Sequence, residues 1–113
     1  MAKILWYYLP GWTPQQAAWR VYEYIRSMGE GRAEFVQPAT VKLKRGALLL
    51  WEGEARITAF QNGDYIGFRL DTSAARSFLT GGLIGRSQAI KAEKTLMGYV
   101  QAAMGQPVQV SEV

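Results

Sequence analysis

The dipeptide Asn62-Gly63, set between two alternating runs, constrains this chain more than any other feature. Asn-Gly flanked by alternating hydrophobics is the strongest short-range signal for a two-residue hairpin turn. Placing Asn62 and Gly63 in the turn pairs Gln61 with Asp64 and Phe60 with Tyr65. Arg56 then stands opposite Arg69. The runs divide into two faces. Ala55, Ile57 and Ala59 share one with Ile66, Phe68 and Leu70. Arg56, Thr58 and Phe60 share the other with Tyr65, Gly67 and Arg69. A slip of one residue on one strand would mix the two sets, so the pattern supports antiparallel pairing.

Other segments fall into place around this hairpin. Ile4 to Leu9 is aromatic-rich and reads as a buried strand stopped by Pro10-Gly11. Thr13-Pro14-Gln15-Gln16 has the form of a helix start, with Thr13 as cap and Gln16 as its reciprocal partner. That helix runs to about Met28, with Ala18, Val21, Tyr22, Ile25 and Met28 on its apolar stripe. Gly29 and Gly31 end it. Val41 to Lys44 alternates as a strand, Gly46 makes a bend, and Ala47 to Trp51 reads as a central strand. A short helix is expected over roughly Ala74 to Leu79. A longer one starts near Gly85 to Ser87, ends near Met104, and carries Ala89, Ala92, Leu96, Val100 and Ala103 inward. Residues from Pro107 to Val113 either add a short edge strand or form a loose tail. The expected fold is a single α+β domain over residues 1–113. It is an antiparallel meander of about four to five strands, with the N-terminal helix and the C-terminal helical region packed on one face.

Composition narrows the function. The 113 residues include neither cysteine nor histidine. Disulfides, thiolate nucleophiles and the commonest metal ligand and general base are thereby removed. No catalytic, metal or cofactor-binding residue is assigned, and a non-enzymatic role is the expectation. The pair Glu52 and Glu54 reads as surface charge. Thr80 to Ser87 is rich in glycine ahead of a helix, but it lacks the Gly-Lys-Ser/Thr ending and the G-x-G-x-x-G spacing of phosphate-binding loops. Ile4 to Leu9 is too short for a membrane span and has no signal-peptide surroundings. With no cysteine, this points to a cytoplasmic protein without a membrane partner.

Two surfaces remain as candidates. Trp6, Trp12, Trp19, Tyr7 and Tyr8 concentrate aromatics near the N-terminus. Exposed Trp and Tyr are favoured at protein interfaces, so the first reading is a binding or accessory protein whose partner is another protein or a second copy in a homodimer. The alternative is single-stranded nucleic acid, held by Arg56, Arg69, Phe60, Tyr65, Lys42 and Lys44 on the hairpin face. Aromatics stack bases and cations meet phosphates there, in keeping with a net charge of +4. A third reading is a small-ligand site between sheet and helices, lined by aromatics.

Overall fold

The computed structural model describes residues 3–28, 32–44, 52–72, 75–76 and 82–112. In chain order the elements are β1 (Lys3–Tyr8), α1 (Pro14–Ser27), β2 (Arg32–Val36), β3 (Thr40–Lys44), β4 (Glu52–Asn62), β5 (Tyr65–Asp71), β6 (Ala75–Arg76), α2 (Gly82–Met104) and β7 (Gln109–Glu112). The main sheet path is β2-β3-β4-β5-β1-β7, and every neighbouring pair is antiparallel. The α+β class is as expected, with six strands along the path. β2 to β5 form the meander. β1 joins it beyond β5, and of the two readings of the C-terminal tail the edge strand is the one found, on the far side of β1.

The expected helix start at Thr13 is present in full. Thr13 Oγ1 accepts from the Gln16 amide at 3.1 Å, and Gln16 Oε1 accepts from the Thr13 amide at 3.0 Å. Two of the amides that a helix N-terminus leaves unbonded are thus satisfied. Ala17, Ala18, Val21 and Ile25 form the buried stripe of α1. Leu96 and Val100 do the same for α2, and both helices share one core with Leu5, Val41, Ile57, Ile66, Phe68 and Leu70. Both helices therefore lie on the same, inner face of the sheet. An ion pair ties α2 to β1: Lys3 Nζ lies 3.4 Å from Glu93 Oε1.

The hairpin corrects the sequence reading by two residues. The turn residues are Gly63 and Asp64, so Asn62 faces Tyr65, Phe60 faces Gly67, Thr58 faces Arg69 and Arg56 faces Asp71. Neither Arg56–Arg69 nor Phe60–Tyr65 is a cross-strand pair. The reason is backbone conformation. A type I′ turn centred on Asn62-Gly63 needs positive φ at both residues. Gly63 has φ of +63° and no described non-glycine residue has a positive φ. Glycine at the first central position with an ordinary second residue is the type II′ pattern. A shift of two preserves side-chain parity. The expected faces therefore stand: Ala55, Ile57, Ala59, Ile66, Phe68 and Leu70 are all buried.

Two further expectations change. Ala75 and Arg76, inside the short helix expected at Ala74 to Leu79, are extended and pair with Gly53 and Glu52. The remainder of that segment lies outside the described residues, as do Gly29, Gly31, Gly46 and the strand expected over Ala47 to Trp51. α2 begins at Gly82, earlier than Gly85, so Gly82 to Ser87 is helix and not a loop. No described helix is long and apolar enough to cross a membrane.

Candidate functional site: the outer sheet face

With both helices on the inner face, none of the described elements covers the outer face. Alternation along the strands decides who stands there. Leu5 and Tyr7 of β1 point inward, so Trp6 and Tyr8 stand outward beside Phe60, Tyr65 and Arg69. The ladder aligns these residues in rows. Phe60, Gly67, Trp6 and Gln109 form one row across β4, β5, β1 and β7. Asn62, Tyr65 and Tyr8 form the next.

Gly67 is what allows the first row. A Cβ at that position would lie 2.6 Å from Phe60 Cζ and 3.0 Å from Trp6 Cζ3. Without one, Phe60 and Trp6 close over the glycine edge to face, with ring centroids 5.2 Å apart and planes at 80°. Trp6 Nε1 donates to Ser111 Oγ at 3.0 Å, which fixes the indole and ties down the edge strand. In the next row Tyr8 and Tyr65 meet edge to face at 5.3 Å. They are 54% and 44% exposed, so these two rings present the most accessible aromatic surface of the face.

The charges sort differently from the sequence reading. Glu34, Lys42, Arg56 and Asp71 form a row across β2, β3, β4 and β5. Acids end this row and cations occupy its middle, so it balances itself. Arg69 stands apart. It is exposed, with Thr58 on one side and Ile4 on the other, and no acid opposite it. Lys44 closes β3 opposite Glu54 and Arg32. The structure thus brings Arg56, Arg69, Phe60, Tyr65 and Lys42 to one face, with Lys42 and Arg56 inside the balanced row.

The five N-terminal aromatics do not share a surface. Trp6 and Tyr8 belong to the outer face. Tyr7 is buried against Phe68 on the inner face, and its hydroxyl donates to the Gly105 carbonyl at 2.7 Å. Burial pushes its pKa up from 10.0 to about 12. Trp12 and Trp19 line an open groove of about 520 Å³ with Pro10, Gly11, Gln16, Arg20 and Glu23. Trp19 also packs on Tyr22 and Phe35, each at 5.1 Å. Two side chains in strands separate onto opposite faces when they are adjacent in sequence, which is why Trp6-Tyr7-Tyr8 cannot act as one patch.

The residues that sequence reasoning placed in the wrong set are Trp6 and Tyr8. The continuous apolar run Ile4 to Leu9 carries no alternation in residue type that would separate its two faces. What was missing was the knowledge that β1 pairs with β5. Among the described residues no group of three acidic side chains is placed to hold a metal ion.

Comparison of the chain with protein-family models, with curated proteins and with solved structures finds no match.

Proposed function

We propose that this chain is a non-catalytic binding module whose working surface is the outer sheet face, and that its partner is another protein. The observation that carries this reading is the exposed Tyr8–Tyr65 pair beside Trp6, Phe60 and Arg69 on the sheet face opposite both helices. Trp, Tyr and Arg are the residue types enriched in interface hot spots. These rings are already fixed by one another and by Ser111, so binding sacrifices little side-chain freedom. The neighbouring charge row balances itself, which suits contact with a surface of mixed charge better than contact with a polyanion. A non-catalytic role is supported by the absence of histidine and cysteine from the chain. Tyr7, whose pKa is strongly raised, sits in the core away from this face.

A photo-crosslinking amino acid placed at position 65 tests this, with position 94 on exposed α2 surface as control. Crosslinking in the native cells to one protein, lost on Arg69→Ala, is the expected result. Equal labelling from both positions sinks the proposal. One observation favours a second reading, single-stranded nucleic acid: Arg69 has no acid opposite it and stands one row from Phe60 and Trp6. Titration of labelled single-stranded DNA and RNA at two salt concentrations separates the two. Salt-sensitive binding abolished by Arg69→Ala would replace the protein partner with nucleic acid, because each phosphate contact releases counterions and adds to the salt slope.

A further inference from the structure

The groove at the start of α1 shares no residue with the outer sheet face. Its walls are fixed before any ligand arrives. Leu9 to Trp12 form a tight turn in which the Trp12 amide donates to the Leu9 carbonyl at 3.2 Å. Pro10 and Gly11 occupy its centre, and Gly11 has φ of +82°, the arrangement of a type II turn. The Trp12 carbonyl accepts from Gln61 Nε2 at 3.4 Å. Trp19 is held against Tyr22 and Phe35 yet remains 43% exposed.

The hydrogen-bonding groups that accompany the two indoles are mostly donors. No hydrogen bond among the described residues uses the indole N–H of Trp12 or Trp19. Gln16 Oε1 is engaged by the Thr13 amide, which leaves Nε2 to donate. Arg20 is an exposed donor with no ion-pair partner among the described residues. Glu23 is the one carboxylate of the lining. A sugar hydroxyl donates as readily as it accepts, so a sugar would leave most of its donors without partners here. A polyanion would be repelled by Glu23. A proline-rich segment accepts without donating, because proline has no N–H. Its apolar rings also suit indole faces. The spacing agrees with this. α1 advances about 10 Å from Gln16 to Glu23. A polyproline II helix repeats every three residues at about 3.1 Å each, about 9 Å per turn. One turn therefore spans the polar row, and Glu23 at its end suits a basic residue flanking the prolines. Aromatic-lined grooves take such a chain because it is already extended and has little freedom to lose. The four prolines of this chain lie apart in sequence, so the segment belongs to another protein. We propose that the Trp12–Trp19 groove binds a proline-rich segment of a partner protein in the polyproline II conformation, with a flanking basic residue at Glu23.

The probe is an oligoproline peptide with a lysine at each end, titrated into isotope-labelled protein while the indole N–H signals are followed by NMR. The Trp12 and Trp19 signals should move and the Trp6 signal should stay. Trp19→Ala should weaken binding about tenfold or more. Arg20→Ala, at an exposed position, should weaken it about fivefold with unchanged circular dichroism. Tyr65→Ala should leave the affinity unchanged, so this groove and the outer-face reading fail separately. Unmoved Trp12 and Trp19 signals at the highest soluble peptide concentration overturn the proposal. So does movement of Trp6 alone, which would place the peptide on the outer face. Equal movement with a glycine-serine peptide or with a glucose oligosaccharide overturns it too, and the second would give the groove to sugars. If Trp19→Ala fails to fold, Arg20→Ala decides, and an affinity equal to the parent's sinks the proposal.

Discussion

Replacing Gly67 with alanine tests the aromatic row that builds the outer face. Gly67 has no positive φ, so alanine meets no backbone strain there. A glycine-to-alanine change in a strand interior would by itself stabilise by about 0.5–1 kcal/mol. The added methyl, however, lands 2.6 Å from Phe60 Cζ, 3.0 Å from Phe60 Cε1 and 3.0 Å from Trp6 Cζ3. Overpacking of this kind costs about 1–3 kcal/mol. The phenyl ring is the free end of its side chain and can swing aside, but it then loses its edge contact with Trp6, a pair worth about 0.5–1.5 kcal/mol. The net expectation is a destabilisation of about 1 kcal/mol. In a Phe60→Ala background the closest contact is gone and the same change should be near neutral. The difference is a coupling energy of about 1 kcal/mol, well resolved by a double-mutant cycle. Urea denaturation followed by tryptophan fluorescence measures all four variants. If Gly67→Ala stabilises the parent, or costs the same in both backgrounds, Phe60 and Trp6 do not close over Gly67.

Three shorter predictions follow from local geometry. Thr13→Ala removes one half of the capping box and should destabilise by about 1 kcal/mol in the same denaturation assay. The folded pKa of Tyr7 is raised above its unfolded value of 10.0 to about 12, so its contribution is complete below pH 10 and is lost as pH rises toward 12; Tyr7→Phe should flatten the fall in melting temperature over that alkaline window. Gly63→Ala places a side chain at φ +63° with open space around it. It should cost about 1–2 kcal/mol from backbone conformation alone, read as a lower melting temperature with an unchanged circular dichroism spectrum.

Much of the site was legible as parity and little of it as register. Alternation in Ala55–Leu70 assigns each residue to a face, and a slip of two residues leaves that assignment intact. Arg56, Arg69, Phe60 and Tyr65 were therefore correctly grouped, although every pairing among them was wrong. The difference matters chemically. In the true register Arg56 faces Asp71 and Phe60 faces Gly67, so an arginine opposite an arginine becomes an arginine opposite an acid, and the aromatic pair becomes a ring over a glycine. The identity of the turn decided this, and turn choice depended on which residue could take a positive φ.

Local chemistry determined the cap at Thr13, the stripe of α1, the hairpin and its two faces, and the exclusion of histidine and cysteine chemistry. Each depends on residues a few positions apart, whose interactions are set by helical or extended geometry wherever the segment sits. The tertiary structure alone decided that β1 lies between β5 and β7, that both helices cover the same face, and that Trp6 and Tyr8 join Phe60 and Tyr65 while Tyr7 enters the core. Those outcomes depend on pairing between segments as far apart as Trp6 and Ser111. Such pairing is fixed by which arrangement buries the most apolar surface together, a property of the whole chain that no single window contains.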